Sequence, residues 1–180
     1  RDLHTAYRRQ RQMCIRDSII SDILGVQPLR VNSDLLSAQH RNRYYWTNIK
    51  QSDIIIKNIE FKDILQNKVD KKYYYSQRVL SRLDVKGIKR AGKAGYKCKG
   101  VEVKKCAPIV ARHYKGMQSQ HYPVIKELDG FRKLTPIECE RLQTVPDSYT
   151  EGVSNTQRYK MLGNGWTVDV IAHLLKNIAL

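Results

Sequence analysis

Four consecutive residues, Thr135-Pro136-Ile137-Glu138, constrain the fold of this 180-residue chain more than any other stretch. A threonine hydroxyl before a helix accepts from the amide three residues on, and a glutamate there reaches back to the threonine amide. Proline at the first helical position has its φ preset and no amide left to satisfy. The pattern predicts a helix from Thr135 to about Leu142, ending before Pro146. Downstream, Gly163-Asn164-Gly165 reads as a tight turn into a last helix from about Thr167. In that helix Val168, Ile171, Ala172 and Leu175 repeat at helical spacing as one apolar face. Upstream, Arg43–Asn48 is aromatic and β-favouring, with Arg43, Tyr45 and Thr47 on one side of a strand. Ser18–Leu24 reads as the end of a helix stopped at Gly25, Leu29–Asn32 as a short strand and Arg78–Leu83 as a short helix. Val101–Val103 and Ile109–Ala111 read as weaker strands. Between them Ala91–Gly100, rich in glycine and lysine, reads as an exposed loop.

Charge narrows the choice of partner. The chain carries 33 Lys+Arg against 17 Asp+Glu, a formal net charge of +16. Such a balance favours a polyanion, nucleic acid before an anionic membrane. From Gln66 to Lys126 there are 16 lysines and arginines against Asp70, Asp84 and Glu102. A bare charge run is usually a solvated face. This one is interleaved with Tyr73, Tyr74, Tyr75, Tyr96, Tyr114 and Tyr122, a mixture suited to phosphate contact and base or sugar packing. No apolar run approaches the ~20 residues needed to span a bilayer. Cys14, Cys98, Cys106 and Cys139 have no disulfide-scaffold spacing, which points to a reducing, cytosolic setting. Cys98, Cys106, His113 and His121 can be drawn as a zinc site, but their spacing fits no common zinc module, and no metal is expected.

Residues 1–18, RDLHTAYRRQRQMCIRDS, show neither helical nor strand periodicity. They read either as a basic arm or, as RDLHTA and MCIRDS suggest, as translated sequencing-adapter sequence. On the second reading native sequence begins near Ile19, and the first eighteen residues carry no fold information.

Three blocks in order carry a family resemblance: Ser37–Ile49 (SAQHRNRYYWTNI), Arg132–Pro146 (RKLTPIECERLQTVP) and Gln157–Val168 (QRYKMLGNGWTV). Together they resemble the late blocks of the cytosine-C5 DNA methyltransferases of bacterial and phage type. GVSNTQRYKMLGNGWTVDVIAHLL is also similar to the corresponding stretch of the vertebrate de novo DNA methyltransferases. The resemblance implies an α/β fold: the C-terminal part of a doubly wound, S-adenosylmethionine-dependent methyltransferase domain, interrupted by a small irregular target-recognition domain. Residues 19–51 and 131–180 would belong to the catalytic domain and 52–130 to the recognition region. Gln39-His40-Arg41-Asn42-Arg43 matches the family's Gln-x-Arg-x-Arg block. By that match Arg43 contacts a flipped cytosine near its O2, and Arg41 fixes the neighbourhood of the nucleophile. Asn164, Gly165 and Trp166, in the block usually written Gly-Asn-Ser-Val, are implied contacts to S-adenosylmethionine; Trp166 departs from the commoner valine. Gln39, Lys89, Arg90, Lys93, Lys97, Arg112 and Lys115 are expected to face double-stranded DNA.

In this family a Pro-Cys nucleophile and a Glu-Asn-Val segment precede the first block seen here, and neither occurs in the sequence. Cys139 lacks the preceding proline and reads as a small helix hydrophobe. The expectation is a methyltransferase fragment, inactive alone, in the cytoplasm of a bacterial or phage-infected cell, with a missing N-terminal half or a partner chain carrying the nucleophile. A compact recognition segment suits a restriction-linked enzyme and a solitary phage enzyme alike. The rivals are a non-enzymatic DNA-binding module, a subunit of a split methyltransferase, and a polyanion-binding scaffold without S-adenosylmethionine affinity.

Overall fold

A computed structural model describes residues 17–84, 104–118, 124–127 and 130–178. The order of elements is helix α1 (17–24), strand β1 (Pro28–Asn32), a 3₁₀ turn (Ser33–Leu35) and strand β2 (Asn42–Trp46). Further 3₁₀ turns follow at Phe61–Ile64 and Lys71–Tyr73, then helix α2 (Gln77–Asp84) and a longer 3₁₀ segment at Ala111–Gln118. The chain closes with strands β3 (Val124–Glu127) and β4 (Gly130–Lys133) and helices α3 (Pro136–Leu142), α4 (Asn155–Asn164) and α5 (Val168–Leu175).

Both sheets are two-stranded and antiparallel: β1 with β2, placing Val31 opposite Arg43, and β3 with β4, placing Ile125 opposite Arg132. A lone parallel bridge joins Gln39 to Cys106. Gly25 ends α1 with φ of 63°, the left-handed C-terminal stop that glycine adopts without a Cβ penalty. The capping box at α3 forms as the sequence requires: Thr135 Oγ1 accepts from the Glu138 amide, and the Glu138 carboxylate accepts from the Thr135 amide.

Two apolar clusters hold these elements together. The larger gathers Phe61, Ile64, Cys106, Ile109 and Ile125 with Leu134, Cys139, Leu142, Tyr159 and Leu162. It therefore joins parts of the expected recognition region, 52–130, to α3 and α4; among the described residues that region has no separate core. The smaller packs Val31 and Leu36 against Val170 and Leu174, with Ile54 and Ile171 at its margin.

Three expectations are corrected. Ile109–Ala111 is not a strand: Ile109 is a buried core residue, and a 3₁₀ segment starts at Ala111. The buried face of α5 is Val170 and Leu174, while Val168 and Leu175 are 44% and 47% exposed. The reason is a tether before the helix, where Thr167 is fully buried and hydrogen-bonded. Gly163 and Asn164 are the last turn of α4, not a free-standing turn. Val101–Val103, Ala91–Gly100 and residues 1–16 lie outside the described residues. On α1, Ile19, Ile20, Ile23 and Leu24 are exposed, as are Ile55 and Ile56. Among the described residues no helix is long and apolar enough to cross a membrane.

Candidate active site

Stretches about a hundred residues apart in sequence meet at a buried joint of neutral polar groups. The Gln39 carboxamide, wholly enclosed, donates to the carbonyl of Leu142 (2.6 Å) and to Gln143 Oε1 (3.1 Å), and its oxygen accepts from the Ile109 amide (3.3 Å). Gln143, in turn, donates to the carbonyls of Leu162 and Gly165, and its own carbonyl accepts from the Val168 amide (2.9 Å). Thr167 Oγ1 lies 3.0 Å from Ser33 Oγ and 3.1 Å from Gln143 Oε1, and Ser37 Oγ donates to the Leu142 carbonyl at 2.6 Å. Buried amides and hydroxyls are costly unless paired; here they pair with one another and with the ends of α3 and α4 and the start of α5. Thr144 follows with φ of 57°, a strained value for a β-branched residue. Its hydroxyl accepts from the Asp169 amide at 2.9 Å in the first turn of α5.

Arg41 extends the joint to the glycine turn. It is 5% exposed, and its guanidinium donates to the carbonyls of Ile109 (2.8 Å), Gly163 (3.2 Å) and Gly165 (2.8 Å). Its amide is held by Asn32 Oδ1 at 2.9 Å, at the end of β1. Burial, and then the like charge of Arg43, lower its pKa to about 10, so it stays charged at neutral pH. The rigid planar fork of a guanidinium spreads its donors over these three carbonyls in one fixed geometry. Arg43, two residues on, is exposed, and its guanidinium donates to the Asn42 carbonyl at 2.7 Å. Tyr45, the next residue on that face, packs at the margin of the smaller cluster, and burial raises its pKa.

The turn that Arg41 grips contains all three expected cofactor residues. Asn164 and Trp166 are exposed, the indole 65% so, and Gly165 is half-buried. A large aromatic left open beside the first turn of α5 is what a ligand-covering side chain requires. Gly163, just before, is needed for packing: a Cβ there would overlap the Val110–Ala111 backbone. The sequence reading missed this, along with Gln143 and Thr167.

A second joint is charged. Arg132 and Glu138, both wholly buried, form a bidentate pair with two contacts of 2.8 Å, and Arg132 Nε donates to Glu127 at 2.7 Å. The same carboxylate caps α3 and accepts from the Gln66 amide at 3.0 Å. Burial works against the Arg132 charge, but the two carboxylates outweigh it and raise its pKa. Glu140 shows the converse. Burial would raise its pKa, but hydrogen bonds from Thr150 and Arg158 prevail and hold it below the ordinary carboxylate range.

The structure divides the remaining candidates. Gln39 does not face DNA: it is fully buried, with both amide ends engaged. Arg112 and Lys115 lie exposed on the 3₁₀ segment beside α4. Lys89, Arg90, Lys93 and Lys97 are outside the described residues, as are Cys98 and His121 of the imagined zinc set. Among the described residues no cluster of metal-ligating side chains occurs. Cys139 is buried, and burial pushes its thiol well above the ordinary range, the opposite of an activated nucleophile. Two missed elements had readable signals. Ser154-Asn155-Thr156-Gln157 is a capping pattern, and Ser154 does cap α4. Asp-Gly at 129–130 is a hairpin signal in the sequence, and Gly130, with φ of 130°, opens β4 opposite Glu127.

A family model for C-5 cytosine-specific DNA methylase matches residues 17–180. The chain belongs to that family. It is 36% identical over 74 residues to the orphan methyltransferase M.SPRI of Bacillus phage SPR, covering 38% of this chain and 16% of that relative. It is 33% identical over 119 residues to the type II methyltransferase M.SsoII of Shigella sonnei, covering 64% of this chain and 31% of the relative. Each match thus spans under a third of the relative's length. Among solved structures, the Entamoeba histolytica methyltransferase EhMeth aligns over 91% of this chain and 58% of its own, with a TM-score of 0.59 and 16% identity. That likeness gives the methylase chain its fold: the α/β methyltransferase fold, to which these residues contribute two antiparallel strand pairs and the closing helices.

Proposed function

We propose that this methylase chain supplies the target-base and cofactor edge of an enzyme that transfers methyl from S-adenosylmethionine to C5 of a flipped cytosine in double-stranded DNA. The observation that carries the reading is the Arg41 clamp. It holds the carbonyls of Gly163 and Gly165, while Arg43 projects free from the adjoining strand. One buried group thus fixes the distance between a bare cation and a turn bearing an exposed indole.

Each part has a task. Attack at C6 of cytosine puts negative charge on the ring, which a fixed guanidinium such as Arg43 stabilises; the base must first leave the stack. Arg41 acts as a positioning residue. Trp166 covers the cofactor and Gly165 lets it approach the backbone; the amides opening α5 are engaged by Gln143, Thr144 and Thr167 and hold the helix in place. S-adenosylmethionine, when bound, supplies the methyl group. Lys89, Arg90, Lys93, Lys97, Arg112 and Lys115 hold DNA phosphates, with base reading assigned to the 52–130 region. Gln39 serves the joint rather than DNA.

No Pro-Cys dipeptide occurs in these 180 residues, and covalent catalysis needs its nucleophile. Alone, they are therefore expected to transfer no methyl. The test is incorporation of labelled methyl into cytosine-containing duplex, by the chain alone and by the chain combined with the N-terminal part of a family member. Transfer only in the combined form supports the reading. Transfer by the chain alone refutes the missing nucleophile, and DNA binding without transfer in either form favours a non-enzymatic module.

A further inference from the structure

Lysines stacked on tyrosine rings lie on both sides of the boundary between the expected recognition and catalytic regions. Tyr73 is flanked by Lys72 and Lys133, whose ammonium nitrogens stand 5.4 and 5.7 Å from its ring centre. Lys133 also stands 6.0 Å from the Tyr159 ring. On α4, next to Tyr159, Lys160 reaches 5.4 Å from the Tyr114 ring, and Lys115 reaches 5.8 Å from the same ring. The array thus runs from the Lys71–Tyr73 turn over β4 and α4 to the 3₁₀ segment. Lys72 is paired with Asp70. Among the described residues none of the ion pairs involves Lys115, Lys133 or Lys160.

The nearby carboxylates are already spent. Glu127 and Glu138 are committed to Arg132, and Glu140 to Arg158. Among the described residues three ammonium groups have no ion-pair partner, on a chain whose net charge is already +16. Burial at Lys133 lowers its pKa, so its charge is held at a cost. The tyrosine faces restrain the long lysine stems, which reduces the entropy lost when an anion binds. Restrained cations with no ion pair among the described residues suit the charge of a nucleic-acid backbone. Arg41 contacts the carbonyl of Gly163, three residues beyond Lys160 on α4, so the array ends about one helical turn from the proposed site.

We propose that Lys115, Lys133 and Lys160, propped on Tyr73 and Tyr114, form a track for the phosphate backbone of the duplex whose cytosine is presented to Arg43. This rests on DNA being the substrate. It extends the phosphate contacts beyond the 52–130 region onto β4 and α4.

The test is the salt dependence of binding to a short cytosine-containing duplex, measured by fluorescence anisotropy on the 180-residue chain. Variants are Lys115→Gln/Lys160→Gln, the charge-keeping Lys115→Arg/Lys160→Arg, and Lys176→Gln, which removes an exposed lysine beyond α5. Each lost phosphate contact lowers the slope of log affinity against log salt by about 1. The glutamine pair is expected to lower it by about 2, the arginine pair and Lys176→Gln hardly at all. Circular dichroism of each variant confirms that the fold is kept. An unchanged slope in the glutamine pair overturns the track, as does an equal loss per charge from Lys176→Gln, which would mean diffuse attraction. If the unaltered chain does not bind duplex, the DNA reading fails with it.

Discussion

The two buried joints do similar mechanical work with opposite chemistry. Gln39, Gln143, Thr167 and Ser33 connect β1, α3, α4 and α5 through neutral groups that share hydrogen bonds. Arg132, Glu138 and Glu127 connect β3, β4 and α3 through charge. A neutral joint loses a hydrogen bond when one member is replaced, whereas a buried ion pair leaves an uncompensated charge. The charged joint is therefore the more brittle. The neutral joint, which reaches the Arg41 clamp and the glycine turn, tolerates substitution better and bears more directly on the site.

That contrast is open to breakage at several points, the most damaging first. Arg132→Ala strands the Glu138 carboxylate and is expected to destabilise the chain by about 3–5 kcal/mol, read as a fall in the denaturant midpoint. Replacing both partners with apolar residues of similar volume should recover only part of the loss, because the Thr135 and Gln66 amides and Glu127 also lose a partner; full recovery would show that those contacts contribute little. Gly163→Ala forces a methyl group into the Val110–Ala111 backbone and is expected to cost about 3 kcal/mol by the same measurement, at the upper end of overpacking. Gln143→Leu leaves the carbonyls of Leu162 and Gly165 and the Gln39 amide short of partners. It is expected to cost about 1–3 kcal/mol, less than Arg132→Ala. An order reversed between these two would overturn the comparison.

Two smaller effects sharpen it. The folded-state pKa of Glu140 is depressed, so its contribution to stability is present above the unfolded value of about 4.3 and is lost as pH falls through the folded value. Acid unfolding of Glu140→Gln should show a shallower pH dependence below about pH 4.3 than the unaltered chain. Trp166→Ala removes an exposed side chain and is expected to change stability by no more than about 0.5 kcal/mol, while weakening S-adenosylmethionine binding by the combined enzyme in calorimetry.

What the sequence made legible follows from the range of the interactions involved. The α3 capping box, the Gly25 stop and the β1 and β2 strands depend on residues a few positions apart, and all form. The face of α5 has two defensible apolar sets, and the choice falls to Thr167, whose partners Ser33 and Gln143 are distant in sequence. Gln39 reads as a surface amide because glutamine usually is one, yet here it is enclosed by the carbonyl of Leu142, over a hundred residues away. The two arginines of one motif show the same limit. Their alternation puts Arg41 and Arg43 on one side of the chain, but only packing buries the first and leaves the second open.

The central claim, that Arg41 sets the distance between the base-side cation and the cofactor turn, is tested most directly by Arg41→Lys in the combined enzyme. Lysine keeps the charge, but its compact ammonium on a flexible stem does not reproduce the rigid, spread donors of the guanidinium. The expected result is a folded protein whose methyl transfer to duplex DNA falls by about 10²-fold, the penalty of a misplaced site. Methyl transfer at the unaltered rate would contradict the claim.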